Sequence, residues 1–102
     1  MKKLLKIILV LAIVVAGIFG YVSYKKYSSK VTVENYLIHE KNIDKTDIEK
    51  VEPFIDNLQG DKKWMVYVKL KGDEKKYYYY KDTKKNKVVL ESYILNGDEH
   101  VF

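Results

Sequence analysis

The sequence contains no cysteine among its 102 residues, and this absence excludes two kinds of protein. A chain without cysteine cannot be held together by disulfides, and it cannot be processed as a lipoprotein. Beyond its N-terminal segment the chain leaves roughly 70 residues, which form only a small hydrophobic core when no disulfide or metal supports them. Attachment to a membrane or to a partner would therefore help such a domain to stay folded.

Arginine is also missing, since all 19 basic residues are lysine. Arginine supplies the planar fork that binds phosphate, so its absence weighs against nucleic-acid binding. The distribution of the net charge of +5 along the chain also weighs against nucleic-acid binding. Residues 1–30 hold six lysines and no acidic residue, whereas residues 31–102 hold thirteen lysines and fourteen acidic residues. The second part is nearly neutral, and no basic surface of one sign is predicted.

Motifs for catalysis are scarce as well. His39 and His100 are far apart in sequence and lack the spacing of metal-binding motifs. The serines lack the context of a nucleophile, and the five glycines are scattered rather than grouped in a phosphate-binding loop. The acidic cluster of residues 44–52 is interpreted as a solvated surface. The sequence thus predicts no catalytic residue, no metal and no cofactor, and a protein that is not an enzyme.

What the sequence does have is a long apolar run, from Leu4 to Val22. As a helix it would span about 28 Å, close to the hydrocarbon thickness of a bilayer. Lysines precede it and tyrosines follow it, as at the two faces of a membrane. The predicted membrane-interface residues are Lys2, Lys3, Lys6, Tyr21, Tyr24 and Tyr27. We therefore predict a single-pass anchor in residues 1–30, with the bilayer as its lipid partner.

Two alternatives to the anchor stay open. The segment could be a cleaved signal peptide, which would give a secreted protein, although cleavage after Gly17 or Gly20 would follow a poor cleavage motif. It could also be a buried helix of a soluble protein. For an uncleaved anchor, the short lysine-rich N-terminus favours a cytoplasmic N-terminus, which places residues 31–102 outside the cytoplasm in the cell envelope.

The remaining residues predict an α+β domain. An amphipathic helix is expected over 32–41, starting at Thr32, and it is either separate from the anchor helix or continuous with it. Residues 48–58 read as an edge strand because Pro53 cannot donate to a ladder. Strands are also predicted from Trp64, around residues 77–80, and over 88–95. The predicted fold is an N-terminal transmembrane helix, then a short helix packed on a three- to four-stranded antiparallel meander sheet.

The turns between these strands predict which residues share a face. A tight turn at Gly72 pairs Val66 with Tyr79 and Val68 with Tyr77, and a turn over 83–86 pairs Tyr79 with Leu90. The other face then carries a set of tyrosines from three strands. These are Tyr67, Tyr78, Tyr80 and Tyr93. One face should be covered by the helix, and a ten-residue helix cannot cover both.

A resemblance to a known family rests on five segments of the sequence: the lysine-led anchor, VENYLIHEK, KTDIEKVEP, the run YYYYKD and the KKNKV turn. In this order they resemble a small membrane-anchored bacterial family, known as domain of unknown function 3139, over nearly the whole chain. That resemblance implies a Gram-positive source, an extracytoplasmic domain and no assigned activity. The strand-turn-strand YKDTKKNKVV is more loosely similar to a PepSY-type module, with Asn86 where that module has glycine. The second resemblance implies a binding or inhibitory role.

The tyrosines allow two interpretations. They are either structural, as core residues and cross-strand pairs, or they form a recognition patch at Tyr67, Tyr78, Tyr80 and Tyr93. Tyrosine gives a large contact area at a low entropic cost, which favours binding of a protein. The preferred function is an uncharacterised membrane-anchored module that contacts another envelope protein or a secreted peptide. The alternative is a small immunity or regulatory subunit that acts through its transmembrane helix.

Overall fold

The computed structural model describes all residues, 1–102, and consists of one long helix and one antiparallel sheet. The helix α1 is Lys2–His39, and the strands are β1 Ile48–Ile55, β2 Trp64–Leu70, β3 Lys76–Asp82, β4 Lys87–Leu95 and β5 Asp98–Val101. The strands lie in the order β1-β2-β3-β4-β5, a simple meander. The predicted α+β class is confirmed, and the sheet has five strands rather than three or four.

Helix α1 combines the apolar run and the predicted second helix in one uninterrupted element of 38 residues. Thr32 therefore lies within the helix and does not begin a new one. No proline interrupts the segment, and Gly17 and Gly20 are tolerated within it. At a rise of about 1.5 Å per residue the helix alone is roughly 57 Å long. It accounts for most of the 61 Å length of the molecule.

The end of α1 is formed by backbone hydrogen bonds. The amide of Lys41 donates to the carbonyl of Tyr36 at 3.2 Å, and the amide of Ile43 donates to the carbonyl of Leu37 at 3.0 Å. Between them Asn42 adopts a left-handed conformation with φ of 55°. Asparagine tolerates this conformation better than most residues, so it turns the chain here from the helix towards β1.

The predicted pairing of the central strands is confirmed. Val66 pairs with Tyr79 and Val68 with Tyr77, while Tyr79 pairs with Leu90 across β3 and β4. The β2–β3 connection is longer than a two-residue turn, because β3 begins only at Lys76, but it preserves this pairing. The strand that contains Pro53 lies at the edge of the sheet, as predicted, and ends at Ile55.

Two features of the sheet differ from the predictions. Asn96 and Gly97, read as the end of the last strand, instead form a tight turn into β5, with φ of 54° and 82°. A β-bulge also interrupts the β3–β4 pairing between Tyr78 and Tyr79, because β4 has one more residue there than β3. Beyond the bulge Tyr93 pairs with Tyr77, so the residues of β4 from this point lie on the face opposite to the predicted one.

The hydrophobic core lies between α1 and one face of the sheet. Its fully buried members are Val33 and Leu37 of α1 and Val66 and Val68 of β2, and Tyr79 of β3 is 6% exposed. Val33 and Leu37 are four residues apart and so share one side of the helix. Burial of such aliphatic side chains stabilises a fold by about 1.5–3 kcal/mol each. This packing fixes the sheet to the C-terminal half of α1.

Candidate recognition surface

The face of the sheet turned away from α1, here called the open face, carries a group of aromatic side chains. The pairing of β1 with β2 places Phe54 beside Met65, and the pairing of β2 with β3 places Tyr67 beside Tyr78. Tyr80 follows Tyr78 by two residues on β3 and therefore points to the same side. The helix lies against the other face. On this face Phe54, Tyr67, Tyr78 and Tyr80 are partly exposed, whereas Met65 is buried.

The rings on the open face are in direct contact. The ring centroid of Tyr78 lies 5.6 Å from that of Tyr67 and 5.9 Å from that of Phe54, and the second pair meets edge to face. Contacts of this geometry stabilise aromatic pairs by about 0.5–1.5 kcal/mol beyond the burial of area. Met65, which is 1% exposed, packs beneath this surface outside the main core. The open face is therefore an ordered apolar surface.

The hydroxyl groups of this surface remain free to bind a partner. The one tyrosine hydroxyl that donates to another side chain is that of Tyr77, which lies on the helix-covered face. No buried polar side-chain atom lacks a hydrogen-bond partner, so the hydroxyls of Tyr67, Tyr78 and Tyr80 reach solvent. Partial burial, with a smaller contribution from the nearby Tyr67, raises the pKa of the Tyr78 hydroxyl. It therefore stays protonated, as a donor, at neutral pH.

One edge of the open face is charged. Lys62 lies 3.1 Å from the carboxylate of Glu91 and 5.8 Å from the ring centroid of Tyr80. The hydrogen bond to Glu91 raises the pKa of Lys62. Other charged side chains on this face have both signs, namely Lys50, Glu52, Lys69, Lys76 and Glu99. The open face thus has an apolar centre with charges of both signs around it, the arrangement found in many protein interfaces.

Tyr93, the fourth residue of the predicted patch, lies on the helix-covered face. Its ring is 6.5 Å from that of Tyr77, stacks on His100 at 4.7 Å and lies 5.7 Å from Phe102. The ammonium of Lys75 lies 4.9 Å from its centroid. These residues form a separate aromatic cluster near β5. The structure thus brings three of the four predicted tyrosines to one face and places Tyr93 apart from them.

Phe54 belongs to the open face but was not predicted there. The signal was present in β1, where Val51, Pro53 and Ile55 alternate and pair with helix-facing residues of β2. Residues between them must then point the other way. The same alternation that identified the edge strand therefore indicates Phe54 as part of the aromatic surface.

The predicted membrane-interface residues lie at the two ends of the apolar part of α1. That part has a mean hydropathy of 2.6 and no buried residue, so it is long and apolar enough to cross a membrane or to serve as a signal sequence. Lys2, Lys3 and Lys6 lie in its first two turns. At the other end Tyr21, Tyr24 and Tyr27 are exposed. The ring of Tyr21 also meets that of Trp64 edge to face, with 6.0 Å between the ring centroids.

A small hollow lies beside Trp64, between α1 and the β1–β2 loop. It is lined by Trp64 and by polar or charged residues: Lys25, Ser28, Ser29, Thr32, Asp61, Lys81 and Thr83. Asp61 accepts hydrogen bonds from the amide and the hydroxyl of Thr83, both at 2.9 Å. These bonds, the amide bond first, hold the pKa of Asp61 below its usual value. Nowhere in the chain do three or more histidine or acidic side chains lie close enough to hold a metal ion.

Comparison with known proteins finds no family model, no curated protein and no solved structure that matches this chain. The resemblances drawn from the sequence, to domain of unknown function 3139 and to PepSY-type modules, therefore remain predictions.

Proposed function

We propose that this protein is a single-pass, membrane-anchored binding module without enzymatic activity, whose open face captures another envelope protein or a secreted peptide. The observation that carries the proposal is the contact of Phe54, Tyr67 and Tyr78 in one partly exposed aromatic group on the face turned away from the helix. Large uncovered apolar patches with polar edges are typical of protein interfaces, and tyrosine is enriched in their energetically important positions. Tyr80 extends the surface towards the pair formed by Lys62 and Glu91.

An uncleaved anchor is the second part of the proposal, with the N-terminus in the cytoplasm and the sheet on the outside. It is supported by the continuity of α1, which runs through Gly17 and Gly20 without a break and carries the core residues Val33 and Leu37. The lysines at the start of the helix favour this orientation. Cleavage as a signal peptide, with secretion of the domain, is the alternative that this proposal rejects.

The test is recovery of the partner from cells that make the protein. The unchanged chain and the chain that carries Tyr78→Ala and Tyr80→Ala together are each purified from detergent-solubilised membranes. The proteins bound to each are identified by mass spectrometry. Loss of about 2 kcal/mol at such positions would weaken capture roughly 30-fold. Tyr93→Ala serves as the matched control, because it removes a tyrosine ring from the opposite face.

The two variants separate the possible results. We expect capture to fail in the Tyr78→Ala, Tyr80→Ala variant and to persist in the Tyr93→Ala variant, with circular dichroism showing a folded sheet in both. Unchanged capture by a folded double variant would rule out the open face as the binding surface. If Tyr93→Ala alone abolished capture, the binding surface would lie at the cluster near β5 instead.

A regulatory or immunity subunit that acts through its transmembrane helix is the second candidate function. It is favoured by the exposure of every residue from 1 to 20, which leaves this part of the helix accessible to a partner in the membrane. Exchange of residues 4–20 for an unrelated apolar helix of equal length distinguishes the two candidates. Function retained after the exchange supports the open face, and function lost supports the helix.

A further inference from the structure

Trp64, the only tryptophan of the chain, lies where the sheet meets the apolar part of α1. It is the first residue of β2, and its ring contacts the ring of Tyr21 at 6.0 Å. The last residue of β2, Leu70, lies beside Ile43 beyond the other end of the helix. Strand β2 therefore runs in the same direction as α1, and the β1–β2 loop lies at the end nearest the apolar segment.

The depth of Trp64 follows from that contact. Tyr21 is the penultimate residue of the apolar run, so in a bilayer it lies about 1.5 Å from the boundary between hydrocarbon and headgroups. A ring in contact with Tyr21 lies at nearly the same level. Tryptophan prefers this level because its ring is apolar and its N–H is polar. The structure thus places a residue of the sheet domain within the aromatic belt of the anchor.

The surroundings of Trp64 combine positive charges with exposed apolar side chains. Two ammonium groups flank its ring, that of Lys25 at 5.8 Å and that of Lys63 at 5.6 Å. Ile55, its partner in β1, and Leu58 of the loop are large apolar side chains that are 44% and 42% exposed. Lysines beside exposed apolar groups are the combination with which proteins bind anionic membrane surfaces.

We propose that the β1–β2 loop docks on the leaflet from which α1 emerges, with Trp64 at the headgroup boundary and Lys25 and Lys63 on anionic phospholipid headgroups. This inference rests on the membrane anchoring proposed above. It adds a second attachment to the bilayer, made by the domain itself. The sheet would then be fixed at the membrane in height and orientation, with the open face left free.

The single tryptophan makes the inference measurable by fluorescence. The full chain is reconstituted in vesicles of phosphatidylcholine and phosphatidylglycerol. Emission is then quenched with aqueous acrylamide and with lipids brominated near the headgroup end of the acyl chain. In a matched control, Trp64→Phe is combined with Tyr67→Trp. This change moves the tryptophan three residues along β2, about 10 Å further from the membrane, onto the open face.

We expect acrylamide to quench Trp64 roughly threefold less than the tryptophan at position 67, because the aqueous quencher does not reach the level of the aromatic belt. The brominated lipid should show the reverse order. Brominated phosphatidylglycerol should quench Trp64 more than brominated phosphatidylcholine does. Replacement of Lys25 and Lys63 by glutamine should abolish this preference, because it removes the positive charges beside the ring.

The possible failures are distinguishable. If the chain floats with the vesicles but both tryptophans are equally accessible to acrylamide, the docking of the loop is overturned and the anchor stands. If the chain does not float with the vesicles, the membrane proposal is overturned together with this inference. If the glutamine variant keeps its preference for phosphatidylglycerol, the two lysines do not recognise the anionic headgroup.

Discussion

The two faces of the sheet are both apolar, but they are built from different side chains. The covered face meets α1 through valine and leucine, and Val33, Leu37, Val66 and Val68 are completely buried. The open face uses aromatic rings, and the hydroxyls of its tyrosines reach solvent. Aliphatic side chains gain only from the exclusion of water, so they serve a contact that is permanent. Tyrosine has a polar end and is stable both in water and in a contact, which suits a surface that is covered only when a partner binds.

The largest expected effect tests the covered face. Leu37→Ala removes a fully buried side chain between α1 and β2 and leaves a cavity. We expect a loss of about 2–5 kcal/mol in the free energy of unfolding, measured by urea denaturation in detergent micelles. The matched change on the open face is Tyr67→Ala. We expect it to cost less than half as much, because that ring is partly exposed. Equal losses would mean that the open face is a second core and not a free surface.

Alkaline pH should lower the free energy of unfolding through the covered face more than through the open face, with a smaller effect than Leu37→Ala. Burial on the covered face raises the pKa of Tyr79 from 10.0 to about 12. Below pH 10 the hydroxyl is neutral whether the chain is folded or unfolded. Between pH 10 and about pH 12 the hydroxyl of Tyr79 is deprotonated in the unfolded chain but stays protonated in the folded chain. The free energy of unfolding should therefore fall by about 1–2 kcal/mol over that range.

Circular dichroism during urea denaturation at about pH 9 and about pH 11 measures this loss. Tyr79→Phe removes that hydroxyl and should remove its share of the pH dependence. Part of the dependence should persist, because burial and the hydrogen bond to Asp73 also raise the pKa of Tyr77 on the same face. Tyr78→Phe, the control on the open face, should remove less, because burial raises the pKa of that hydroxyl at a more exposed site. The contrast between the faces would be contradicted if the two variants lost the same amount.

The next prediction in order of size concerns the turn from β4 into β5, the strand that extends both faces of the sheet past α1. Gly97 has φ of 82°, and a Cβ atom at this position would contact nothing. Gly97→Ala should therefore cost about 1 kcal/mol, from backbone strain alone. Hydrogen exchange should accelerate at β5 and remain slow at Val66 and Val68 of the covered face. Acceleration across the whole sheet would show that β5 is required for the core.

The smallest expected effect concerns the loop beside Trp64. Asp61→Asn weakens the hydrogen bonds that join this loop to Thr83. Because the bonds are exposed, we expect a loss of at most about 0.5 kcal/mol. The pKa of Asp61 is lowered on folding, so this contribution should be present above its usual value of 3.8 and vanish as the pH falls below it. A larger loss, seen by thermal denaturation, would mean that the loop supports the covered face.

Local patterns in the sequence predicted much of this fold. The apolar run indicated the first part of α1, Pro53 indicated the edge strand, and the turn residues set the pairing of Val66 with Tyr79. The fifth strand was missed, although Asn96 and Gly97 form one of the strongest hairpin signals. The reason is that the four residues of β5, which are exposed, carry little hydrophobic pattern of their own.

The bulge in β4 could not be predicted. One extra residue near Glu91 reverses the facing of every later residue, and no single residue type requires it. This is why the sequence assigned Tyr93 to the open face. The predicted facing of the tyrosines agrees with the structure where pairing is regular, at Tyr67, Tyr78 and Tyr80. It failed only beyond the irregularity.

The continuity of α1 has a mechanical consequence. About 27 Å of helix, from Tyr21 to His39, continues past the apolar segment without a hinge, so the sheet would follow any tilt of that segment as one rigid arm. For a transmembrane helix tilted by about 20°, the far end of the domain is displaced sideways by roughly 9 Å. Rotation of the helix about its own axis turns the aromatic surface through the same angle. Bilayer thickness and neighbouring helices would therefore set the direction in which this protein presents its tyrosines.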